Sequence, residues 1–66
     1  MKVKEVIRIL TEDGWFMVRQ KGSHRQFKHP DKKGLVTVSG HSLAADLAPG
    51  TLNSIYKQAQ LGKYEK

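Results

Sequence analysis

Cations and an imidazole crowd into one short stretch, Gln20-Lys21-Gly22-Ser23-His24-Arg25-Gln26-Phe27-Lys28-His29-Pro30. Between Arg19 and Lys33 lie six of the chain's twelve basic residues, Arg19, Lys21, Arg25, Lys28, Lys32 and Lys33, against a single acid, Asp31. Such a cluster draws polyanions at long range, and each Lys or Arg also donates hydrogen bonds that phosphate oxygens accept. Phosphate esters are therefore the expected ligand class. His24 adds a second capacity: an imidazole, with an unperturbed pKa of about 6.5, exchanges a proton near neutral pH, which lysine and arginine do not readily do.

The other two histidines read differently. His29 precedes Pro30 and reads as a strand-end residue, while His41 stands alone in a later loop. A zinc site drawn from His24, His29 and His41 matches no standard ligand spacing, and no cysteine is present to complete one. The same lack of cysteine removes disulfides and thiolate nucleophiles and fits a reducing compartment. No cofactor is called for.

At 66 residues with a net charge of +6, the chain is one small domain whose first candidate partner is nucleic acid. Residues 1–62 form that domain, and the tail Lys63-Tyr64-Glu65-Lys66 is expected to fray. No apolar run approaches the roughly 20 residues of a membrane span, and the first residues lead straight into an amphipathic pattern. A cytoplasmic location without membrane partners follows as the expectation.

The elements that carry the cationic stretch follow from apolar spacing. Val3, Val6, Ile7 and Leu10 recur at helical intervals and predict a first helix over about residues 2–12, closed by Asp13-Gly14. Trp15 to Gln20 reads as a strand with Phe16 and Val18 on one face and Trp15, Met17 and Arg19 on the other. Lys21-Gly22-Ser23 is a turn, and residues 24–29 return as a second strand. If Phe27 faces the core, His24, Gln26 and Lys28 face away, unless a bulge near the turn redirects His24. Pro30-Asp31-Lys32-Lys33-Gly34 turns the chain again, and Leu35 to Ser39 forms a third strand with Val36 and Val38 on one face.

A loop from Gly40 to Pro49 follows, in which Asp46 can pair with a cation. A last helix then runs through Leu52, Ile55, Tyr56 and Ala59, with Thr51 as its N-cap and Gly62 as its stop. The predicted fold is α+β, an α-β-β-β-α two-layer sandwich with both helices on one face of a three-stranded meander. Its expected core is Val3, Val6, Ile7, Leu10, Phe16, Val18, Phe27, Val36, Val38, Leu52, Ile55 and Tyr56.

With this order established, the chain resembles the HicA family of toxins, the mRNA-cleaving partners in HicA–HicB toxin–antitoxin pairs. The likeness runs through Asp13-Gly14-Trp15, Lys21-Gly22-Ser23-His24, Phe27, His29-Pro30, Val36-Thr37-Val38, His41, Pro49-Gly50-Thr51-Leu52, Ile55 and Gln58-Ala59. The resemblance implies a fold similar to the double-stranded-RNA-binding domain, metal-independent endoribonuclease activity, His24 as the catalytic residue and a HicB-like antitoxin over the active surface. Two positions depart from the family pattern: Ser39 stands where proline is frequent, and Asp46 where glutamate is common.

RNA cleavage of this kind needs a base for the 2′-hydroxyl, an acid for the leaving 5′-oxygen and cations for the charge gathering on phosphorus. His24 suits either proton-transfer role, with His41, Lys21 or water as its counterpart. Arg19, Lys21, Arg25 and Lys28 are the RNA-binding and charge-stabilising candidates, and the amides around Gly22 and Ser23 can approach a phosphate closely because glycine has no side chain. Trp15 and Phe27 have the aromatic faces that stack on bases, although Phe27 also fits the core. The alternative is a non-catalytic module that binds double-stranded RNA by shape and phosphate contacts alone.

Overall fold

The computed structural model describes residues 1–62, so the tail expected to fray at residues 63–66 lies outside the described residues. The elements run α1 (Val3–Glu12), β1 (Phe16–Lys21), β2 (His24–Lys28), β3 (Val36–Ser39) and α2 (Pro49–Gln58). The strands form one antiparallel sheet in the order β1-β2-β3, and both helices pack against β3. This is the α+β sandwich that the residue pattern predicts, of the double-stranded-RNA-binding-domain type that the family resemblance implies. Among the described residues, no helix is long and apolar enough to cross a membrane.

Helix α1 forms because its apolar stripe has somewhere to go and its ends are satisfied. Val3, Val6 and Leu10 are buried, the Lys2 backbone amide donates to Glu5 Oε1 at 2.9 Å, and Arg8 pairs with Glu12 one turn on at 3.7 Å. The first helical amides take their acceptors from the loop after β3: Val3 N–H donates to Ala45 O at 2.9 Å and Lys4 N–H to Leu43 O at 3.0 Å. Asp46 pairs with Lys2 at 3.8 Å and ties the same loop down. Helix α2 begins at Pro49 behind Ala48 as its N-cap, so Thr51 lies inside the first turn and is not the cap. Proline suits that first position because its missing N–H would have had no helical partner.

The buried cluster comprises Val3, Val6, Leu10, Trp15, Phe27, Val36, Val38, Leu52, Ile55 and Ala59. Ile7 is only partly buried and packs against its edge, and Tyr56 is half-buried. Two of the expected core residues are displaced: Phe16 is 51% exposed and Val18 is 46% exposed, while Trp15 is buried in their place. For Phe16 the cause is strand phase: it pairs with the exposed Lys28, which leaves Trp15 and Met17 on the Phe27 side. For Val18 it is a bulge, since the β1–β2 register steps from Met17 opposite Phe27 to Arg19 opposite Gln26 and leaves Val18 without a partner on β2.

The turn between β2 and β3 seats Trp15. His29 lies one residue beyond β2 and sets its ring against the indole edge-to-face, with centroids 5.2 Å apart. Its Nδ1 accepts the backbone N–H groups of Asp31 and Lys32 at 3.0 and 3.1 Å, which leaves the ring proton on Nε2 to donate to Asp13 O at 2.6 Å. The lysine of the same turn, Lys32, reaches Asp13 Oδ2 at 2.6 Å and the carbonyls of Ala59 and Gln60 at 3.2 Å. That ammonium holds the Asp13 carboxyl below the usual carboxylate range, mainly through the hydrogen bond itself. Gly14 permits this closure twice over, through its φ of +105° and because a Cβ there would sit 2.8 Å from His29 Nε2.

Candidate nucleic-acid site

The face of the sheet turned away from the helices is built from cross-strand pairs. Register places Lys21 opposite His24, Arg19 opposite Gln26 and Phe16 opposite Lys28 on β1–β2, and on β2–β3 it places His24 opposite Ser39 and Gln26 opposite Thr37. Partners in a pair share a face. Burial agrees, because along β2 His24 and Lys28 are exposed while Arg25 and Phe27 are buried.

The bulge at Val18 matters here. Unbroken alternation would put Arg19 with Met17 and Trp15, but the extra residue shifts Arg19 to the side occupied by His24. The hairpin tip keeps His24 outward. Gly22 and Ser23 are its two central residues, with Gly22 at φ +57° and no positive φ at Ser23, the pattern of a type II′ turn whose twist matches the strands it joins.

Together these residues line an open groove of about 670 Å³, bordered by Arg19, Lys21, Gly22, Ser23, His24, Gln26 and Thr37. Its size falls in the range of small-ligand sites. Two cations and an imidazole converge, hydroxyls and an amide complete the lining, and among the described residues no carboxylate borders it. His24 Nδ1 lies 3.1 Å from the hydroxyl of Ser39 on the neighbouring strand. The arrangement suits a phosphodiester: positive charge on one side, an imidazole beside it, and nothing anionic among the described residues to repel the ligand.

The remaining candidates from the sequence sit elsewhere. Lys28 is on the same outer face, at the far end of β2 and outside the groove lining. Arg25 is only 8% exposed and points to the helix side, where its guanidinium donates to Ser23 O and Gly40 O, both at 3.4 Å. It binds the hairpin tip to the β3 terminus and borders a second, mostly apolar hollow beside Ile7, Met17 and Leu43. His41 is exposed in the loop after β3 and does not line the groove. Trp15, 1% exposed, and Phe27, 2% exposed, present no face to a base. Among the described residues, no three His, Asp or Glu side chains are grouped to hold a metal ion.

Three uncharged residues beside His24 escape the charge-based reading. Gln26, two residues along β2, and Thr37 line the groove, while Ser39 lies outside its lining and meets His24 through the β2–β3 pairing. Alternation along β3, with Val36 and Val38 inward, does place Thr37 and Ser39 on the open face. It does not say which of them meets the imidazole.

No curated protein matches the chain. The family model described as the HicA toxin of bacterial toxin–antitoxin systems does match, over residues 3–61, from the first residue of α1 to just beyond α2. With nearly all of its length and every one of its elements accounted for by that model, the chain belongs to the HicA toxin family, as a toxin paired with a cognate antitoxin.

Proposed function

We propose that this toxin is an endoribonuclease that cleaves messenger RNA without a metal ion, using His24 for proton transfer. The observation that carries this reading is the exposed His24 on a sheet face whose groove has no carboxylate among the described residues, with Lys21 directly across from it and Arg19 two pairs along, the next on the same face. A phosphate binder has no need of an imidazole among its lysines, whereas a phosphoryl-transfer site does.

The reaction is transesterification. The 2′-oxygen attacks the adjacent phosphorus and loses its proton to a base, the bond from phosphorus to the 5′-oxygen breaks, and an acid protonates that leaving oxygen. A 2′,3′-cyclic phosphate and a 5′-hydroxyl result. His24 serves as base or acid, with Lys21, its cross-strand neighbour, His41, which stands outside the groove lining, or water as its counterpart. Arg19 and Lys21 stabilise charge on the phosphorane, and the tip around Gly22 and Ser23 brings backbone amides to the phosphate. Lys28 extends the cationic track along the same face. Arg25 acts only through the backbone it holds. The antitoxin, of HicB type in this reading, masks the groove with acidic side chains, which join attraction and inhibition in a single contact.

Substituting His24→Ala tests the proposal. Cleavage of an RNA substrate, and growth arrest on expression, should fall by at least about a hundredfold, the usual scale for losing a general acid or base, while RNA affinity changes little. A variant that still cleaves would refute the assignment. A parent chain that binds duplex RNA yet leaves it intact would favour the binding module instead.

A further inference from the structure

Among the described residues His24 has one hydrogen-bonding side-chain partner, the hydroxyl of Ser39 at 3.1 Å from Nδ1. The contact is built into the sheet, because the two residues are direct cross-strand partners on β2 and β3. Ser39 is also poorly free to move: Val38 before it is fully buried, and Gly40 after it donates its N–H to Ser23 O at 3.2 Å and accepts from Arg25 through its own carbonyl at 3.4 Å. The hairpin tip, the buried guanidinium and the β3 terminus thus hold the serine and the histidine in fixed register. The other groups facing the ring are Lys21 and Arg19 from β1, Gln26 from its own strand and Thr37 from β3, and none of them is a carboxylate able to orient it.

We propose that Ser39 is the positioning residue for His24, holding the imidazole so that Nε2 is presented to the RNA phosphodiester. This rests on the reading of His24 as the proton carrier. For Nε2 to act as a base its lone pair must be free, so the ring proton sits on Nδ1 and is donated to Ser39 Oγ. If His24 is instead the acid, both nitrogens carry protons and Nδ1 still donates to the same oxygen. One hydroxyl acceptor therefore suits either role without reorienting. A serine is neutral, so it aligns the ring without the charge that a carboxylate would set beside an incoming phosphate.

The test compares the full-length parent chain with Ser39→Ala, Ser39→Thr and His24→Ala on a short RNA substrate, and records the ¹⁵N shifts of the His24 ring in the parent and the serine variants. Ser39→Ala should lower kcat about fivefold with KM unchanged. That ratio converts to about 1 kcal/mol, the net value of one neutral hydrogen bond. Ser39→Thr, which keeps the hydroxyl, should restore kcat, and the Nδ1–H tautomer expected in the parent should become mixed only in the alanine variant. Parent-like kcat and an unchanged tautomer in Ser39→Ala, beside an inactive His24→Ala, would overturn the role of Ser39 while leaving the ribonuclease reading intact. A His24→Ala variant that still cleaves would instead remove that reading, and the role of Ser39 with it.

Discussion

His24 and His29 flank the same strand, yet the fold uses them in opposite ways. His29 has both ring nitrogens committed, one to the Asp13 carbonyl and the other to two backbone amides, and its side chain is 8% exposed against Trp15. His24 lies on the outer face with a single hydroxyl neighbour and open space before it. A ring with every valence satisfied by backbone is a structural joint, since any change in its protonation or position costs several hydrogen bonds at once. A ring with one neutral partner and an open side keeps a nitrogen within reach of a ligand. Residue type is the same in the two places, and the surroundings decide the role.

The comparison breaks most readily at His29. His29→Ala should destabilise the chain by about 3 kcal/mol, from lost ring packing and stranded amides, whereas His24→Ala should change stability by no more than about 0.5 kcal/mol. Chemical denaturation of both variants checks this, and equal losses would erase the distinction. Gly14→Ala should follow at about 2 kcal/mol, because a side chain at that positive φ is strained and its Cβ meets the His29 ring; a neutral outcome would mean that His29 is not held as described.

The Asp13–Lys32 pair sharpens the same contrast through pH. The folded Asp13 carboxyl is held below its ordinary value, so its contribution is complete above the unfolded pKa, about 3.9, and is lost as pH falls through the lower folded value. Melting temperature should therefore drop in acid below about pH 4, and less steeply in Lys32→Met, in which the cause of the shift is gone. Parallel acid profiles for the two proteins would contradict it. The smallest effect belongs to the outer face: Lys21→Ala should leave stability unchanged and reduce the salt slope of single-stranded RNA binding by about 0.7, the contribution of one phosphate contact. Arg25→Ala should leave that slope alone and instead loosen the hairpin tip.

Much of this architecture is legible in the chain of residues alone. The order of elements follows from two helical stripes and three short strands, the hairpin turn from Gly22, and the outward direction of His24 from placing Phe27 inside. The same alternation also faces Arg25 inward with Phe27, and a count of charge, which ignores faces, is what places it among the RNA-binding residues. Taking Phe16 and Val18 as core sets Trp15 on the opposite face, and the structure reverses this; its burial depends on His29, which approaches only after the chain has completed β2.

By itself, the sequence determined which segments are helix and strand, where the chain turns and that one hairpin concentrates positive charge, because periodicity and turn chemistry are local properties. The tertiary structure decided which of those cations share a surface with His24 and which hydroxyl meets its ring. A bulge at Val18 moves Arg19 across the sheet, and the β2–β3 register brings Ser39 to Nδ1. Both outcomes depend on pairing between distant residues, and a one-residue change in that pairing reverses the face of every side chain beyond it.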